Sequence, residues 1–134
     1  MTIVVDASVA VLWTLTQRNS DRAAALQSEG ELIAPSLIVA EIGNAIWKAV
    51  RRGDLPAREA QEGMKIALGP ISALTPLEDL HTRALEFAID LDHPIYDCFY
   101  MALAEREHAE LVTADERMFA VARKVKVKAR LLSS

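Results

Sequence analysis

The period of the apolar positions changes along the chain. Ile3-Val4-Val5 is a β-branched run that stops at Asp6, and it predicts a buried strand. Residues 7–15 and 20–28 carry helical spacing, and Leu32-Ile33 before Pro35 reads as a short strand. Over 36–52, Ile38, Ile42, Ala45, Ile46 and Ala49 fall on one helical face, and Gly53 is placed to stop that helix. Pro56 sits where a helix to residue 68 would open. A weak strand at 71–74 and an amphipathic helix over 77–91 follow. Pro94 then opens a helix to residue 108. Leu111-Val112-Thr113 is a strand, 115–123 a helix and 125–129 a last strand.

Short apolar strands alternating with helices predict an α/β fold: a central parallel sheet of four to five strands with helices on both faces. No repeat, linker or low-complexity segment divides the chain, so 1–134 is expected to form a single domain. With 51% hydrophobic residues the chain can bury a core without staples. Trp13 and Trp47, at helical positions beside apolar neighbours, are expected in that core. The single cysteine, Cys98, rules out an intrachain disulfide and suits a reducing cytoplasm. The N-terminus lacks the basic start of a secretory leader, and no apolar run reaches the roughly 18–20 residues of a membrane span. A soluble, intracellular domain is expected.

Charge alters the picture locally. The net charge of −4 argues mildly against nucleic acid as a partner. Yet 117–134 holds Arg117, Arg123, Lys124, Lys126, Lys128 and Arg130 with no acid, and Lys48, Arg51 and Arg52 form a second basic group. A chain that is acidic overall can carry basic surface where it is needed.

Two acids stand at the carboxyl ends of predicted strands, Asp6 after the first and Asp115 after Leu111-Val112-Thr113. Ligands of open α/β sheets bind outside those ends. Either acid could equally cap the helix that follows it. Glu41 and Asp97 are single acids in otherwise apolar segments, Leu37–Ile42 and Ile95–Leu103. Glu41 could simply belong to a solvated stripe with Asn44, Lys48 and Arg52, and Asp97 could answer a helix dipole. If the four converge, repulsion matters: two carboxylates about 4 Å apart repel by roughly 4 kcal/mol at an effective dielectric near 20. A cation would relieve it, and Mg²⁺ or Mn²⁺ prefers oxygen ligands of this type. Cys98 is alone, and His81, His93 and His108 lack zinc-ligand spacing, so the histidines are expected at the surface or as caps. A cation held by carboxylates points to phosphoester hydrolysis. Ser8 and Thr113 are placed to support Asp6 and Asp115.

Val4-Val5-Asp6-Ala7-Ser8, Glu41 with Asn44, the segment Tyr96–Ala104 around Asp97, and Leu111-Val112-Thr113-Ala114-Asp115 together resemble the motifs of PIN-domain nucleases, in order and across almost the whole chain. The set most resembles the small VapC-type toxins of toxin–antitoxin pairs. The resemblance implies an endoribonuclease that uses Mg²⁺ or Mn²⁺. Asp6, Glu41, Asp97 and Asp115 would form its catalytic metal site, supported by Ser8, Asn44 and Thr113. It implies an RNA substrate, often transfer RNA, a cognate antitoxin covering the acidic pocket, and a homodimer. Arg18, Lys48, Arg51, Arg52 and Arg117 would then flank the site and hold phosphates. The alternatives are a PIN-like binding module without activity, or a nuclease acting on DNA. A different phosphotransfer enzyme fits less well, because Asp6-Ala7-Ser8 offers one acid where an aspartyl phosphatase shows two.

Overall fold

The computed structural model describes residues 1–16 and 19–132, so Arg18 lies outside the described residues. Five strands, β1 (Thr2–Val5), β2 (Glu31–Pro35), β3 (Ala73–Thr75), β4 (Glu110–Thr113) and β5 (Ala129–Leu131), form one sheet in the order β3-β2-β1-β4-β5. Every neighbouring pair is parallel, with Val4 beside Ile33 on one side and Leu111 on the other.

The helices are α1 (Ala7–Ala10), α2 (Ser20–Leu26), α3 (Leu37–Arg52), α4 (Ala60–Leu68), α5 (His81–Leu91), α6 (Ile95–Glu107) and α7 (Glu116–Lys124). The chain steps outward from β1 to β2 and β3, then crosses back to β4 and β5. Right-handed crossovers therefore send α1–α4 to one face of the sheet and α5–α7 to the other. The step reverses between β1 and β4, which makes their carboxyl ends the natural ligand crevice.

α6 has apolar side chains all round. Cys98 through Ala104 are buried without a break, and the helix lies on β1, β2 and β4. Such a helix belongs inside the core. Outside it packs α5, tied by the Arg83 guanidinium donating to both Glu105 oxygens at 2.7 and 3.0 Å. α3 ends at Gly53 (φ +83°), whose left-handed backbone lets its N–H close on Val50 O.

Several boundaries differ from the sequence expectation. The first helix gives way after Ala10 to a 3₁₀ turn over Val11–Trp13, where the Thr14 hydroxyl donates to Gly63 O at 2.7 Å. Pro56 and Pro76 are extended and lead into 3₁₀ turns, so α4 and α5 begin later than expected. β3 is displaced to Ala73–Thr75 by its register against Ile33–Pro35. The expected strand at 125–129 is instead a turn with left-handed Lys126 (φ +62°) and buried Val127, and β5 starts only at Ala129. Trp13 does pack on the core, its indole donating to Ala23 O at 2.8 Å. Trp47 does not: it is 53% exposed, with the Arg51 guanidinium 4.6 Å from its ring centre. Among the described residues no helix is long and apolar enough to cross a membrane.

Because α6 is packed on every side, truncating it should be costly. Leu103→Ala is expected to lower unfolding free energy by about 2–5 kcal/mol. Urea titration should show a reduced midpoint with an unchanged slope.

Candidate active site

Asp6 follows β1 and is only 5% exposed. Its two oxygens are held by donors from both sides of the switch point. The Ser8 hydroxyl donates to Oδ1 at 2.6 Å and the Thr113 hydroxyl donates to Oδ2 at 2.6 Å, while Val9 N adds a longer bond to Oδ1 at 3.3 Å. Ser8 and Thr113 also accept from the chain beyond β4, Ser8 from Ala114 N at 2.9 Å and Thr113 from Asp115 N at 3.0 Å. Two hydroxyls thus bind the end of β1 to the end of β4. Burial raises the Asp6 carboxyl to about 6, against the pull of those donors and with a further push from Asp115. Asp115 itself is exposed and caps α7, with Oδ1 accepting from Arg117 N at 2.8 Å. For both acids capping and a place at the crevice hold together.

The second pair comes from the two long helices. The Tyr100 hydroxyl, in the buried face of α6, donates to Glu41 Oε1 of α3 at 2.5 Å. Half-buried Glu41 has its pKa raised, first by burial and then by the charge of Asp97, while the Tyr100 bond opposes. Asp97 Oδ2 lies 2.8 Å from His93 Nε2, which must carry the proton because an ionised carboxylate only accepts. Tyr100 joins the two pairs: buried among Glu41, Asp6 and Asp97, its phenol is pushed far up and stays protonated. No described side chain takes the second oxygen of Glu41, Asp97 or Asp115.

The remaining expected residues divide. Asn44 and Lys48 line a cavity with Glu41 along α3. Arg51 instead stacks on Trp47, and Arg52 Nε pairs with Asp54 Oδ2 at 3.2 Å. Arg117 is exposed beside Asp115, whereas Arg130 is spent on Glu29 and Glu110. Tyr100 has no role in the sequence expectation, and His93 is expected there at the surface or as a cap. A hydroxyl inside so apolar a helix was the signal for the first, since a buried phenol needs a partner. The four-residue spacing from Asp97, masked by Pro94, was the signal for the second. His93 is therefore neither surface residue nor cap, while His108 ends α6 in the left-handed conformation.

A model of the PIN domain family matches residues 3–124. This chain belongs to that family. The PIN chain is 32% identical over 121 residues to ribonuclease VapC3 of Pyrobaculum aerophilum, covering 88% of this chain and 92% of the relative. It resembles the solved structure of PAE2754 from the same organism with a TM-score of 0.68 at 27% identity, over 90% of this chain and 87% of that one. A toxin–antitoxin complex from Klebsiella pneumoniae shares the fold at a TM-score of 0.65 and 15% identity, over 88% of this chain and 90% of that one.

The raised Asp6 carboxyl sets a pH dependence. Between the ordinary 3.8 and about 6 the folded PIN domain keeps a proton the unfolded chain has lost. Stability from this group therefore falls as pH rises through that window, and the penalty is complete above it. Asp6→Asn is expected to stabilise the metal-free protein at about pH 7 by on the order of 1–3 kcal/mol, a gain that fades below about pH 4. Denaturant titrations at the two pH values measure it.

Proposed function

We propose that this PIN domain is a divalent-metal-dependent endoribonuclease of the VapC type, the toxin of a toxin–antitoxin pair, with 1–134 acting as one nuclease domain. The observation that carries this reading is that Glu41, hydrogen-bonded to Tyr100, has Asp97 and Asp6 near enough for all three to raise that phenol, while Asp115 acts in turn on Asp6 across the switch point of the sheet. The likeness to VapC3 supports ribonuclease activity.

The donors suit Mg²⁺ or Mn²⁺. They are carboxylate oxygens, whereas a softer metal prefers thiolates and Cys98 is a lone, buried thiol donating to Pro94 O. Among the described residues no three His, Cys, Asp or Glu side chains form a ready cage. Mg²⁺ does not require one, because it binds through a few carboxylates and keeps several waters. Asp6, Glu41, Asp97 and Asp115 would hold the ion, which when bound supplies charge against the developing phosphoester anion and an activated water. Ser8 and Thr113 hold Asp6, Tyr100 holds Glu41, and His93 holds Asp97, which would fix each carboxylate for the ion. Lys48 and Arg117 are the cations best placed to bind flanking phosphates, with Asn44 between Glu41 and Lys48. Transfer RNA as a target, an antitoxin seated over the acidic crevice, a homodimer and a cytoplasmic setting follow from the VapC reading.

Purified protein should cut cellular RNA with Mg²⁺ or Mn²⁺ and not with EDTA. Asp97→Asn should lower the rate by more than the roughly 10–100-fold that a lost supporting hydrogen bond costs at a metal site. Folded protein that cuts no RNA would favour the binding-module reading, and cutting of DNA alone would move the substrate.

A further inference from the structure

Tyr96 stands one residue before Asp97 and is 61% exposed, although Cys98 through Ala104 further along α6 are all buried. Its ring forms one wall of a cavity of about 420 Å³ between α6 and α3. Glu41 lies in the same cavity, with Asn44 and Lys48 further along α3 and Leu37 and Ala40 contributing apolar lining. That volume falls in the range of about 300–1,000 Å³ that holds a small ligand group. Glu41 is the one acid of the four that lines this cavity, and it is the residue shared with the candidate site. Lys48 lies two helical turns beyond it, about 10 Å along the helix axis. The succession is thus acid, aromatic face and apolar lining, amide, cation.

We propose that this cavity is a nucleobase subsite, in which Tyr96 stacks on an unpaired base next to the cleaved phosphate and Lys48 holds a phosphate further along the strand. The proposal rests on the ribonuclease reading and deepens it. Bases offer flat apolar faces to aromatic side chains whatever their identity, and they can do so only where the strand is unpaired. Asn44 is the one amide side chain in the cavity, able both to donate to and to accept from a base edge. The stack adds binding rather than chemistry, so its loss appears in KM and leaves kcat nearly unchanged.

The test is cleavage of a synthetic single-stranded RNA and a series in which each nucleotide in turn lacks its base. For the natural chain, kcat/KM should fall about 5- to 150-fold when the base is missing at one position beside the cut. Tyr96→Ala should show the same fall on intact RNA, through KM, and should no longer respond to the missing base. Tyr96→Phe, which keeps the ring, should restore both. Tyr96→Ala cleaving intact RNA with unchanged KM would overturn the subsite and leave the ribonuclease reading standing. A natural chain that cuts none of these RNAs in Mg²⁺ or Mn²⁺ would overturn both. If Tyr96→Ala fails to fold, the missing-base series on the natural chain decides: a flat profile overturns the subsite.

Discussion

Carboxylates gathered at one crevice repel one another, and a buried one also loses its water. Asp6 carries both penalties. It is tolerated because Ser8 and Thr113 each give it a short hydrogen bond while receiving one from the backbone after β4. These bonds fasten two neighbouring strand ends at the point where the sheet reverses its winding. The position of Asp115 depends on them directly, since its own backbone N–H is one of the donors. The fold and the site thus share a joint, and the cost of burying Asp6 is borne by the elements that create the crevice.

The second carboxylate pair is positioned from the opposite direction. α6 is buried throughout its middle, so the Tyr100 hydroxyl must find an acceptor there, and Glu41 of α3 supplies it. Asp97, one turn earlier on the same helix, is steadied by His93 from the loop before it. The central helix therefore sets the Asp97 position by its packing and the Glu41 position by one hydrogen bond. Partners occupy one oxygen each of Glu41, Asp97 and Asp115, and among the described residues no side chain takes the other. That division suits a cation site better than a set of structural ion pairs, which would commit the acids to Lys or Arg.

The sequence made the parallel sheet readable because buried strands are short β-branched runs, and the helices readable because α3 and α5 keep one apolar face. Asp6 and Asp115 could be placed at the crevice because strand ends leave few alternatives for an acid. The last strand was misplaced because Val127, an apolar residue in a turn, imitates strand residues. Trp47 was assigned to the core because periodicity cannot tell which stripe of α3 meets a neighbour. The basic residues Lys48, Arg51 and Arg52 form one cluster in sequence and have three different partners in space: the Glu41 cavity, an indole and Asp54. Contacts such as Tyr100–Glu41 span 59 positions, so helical spacing within either segment could suggest a need for a partner without naming it.

The central claim is that both pairs serve one ion. Calorimetric titration of Mn²⁺ into the natural chain near pH 6, in buffers of different ionisation enthalpy, tests it most directly. Binding accompanied by proton release is expected, because the ion favours the charged form of Asp6. That binding should be lost or strongly weakened in both Asp6→Asn and Asp97→Asn, although the two acids belong to different pairs. Mn²⁺ binding that disappears with one substitution and is untouched by the other would contradict a shared site.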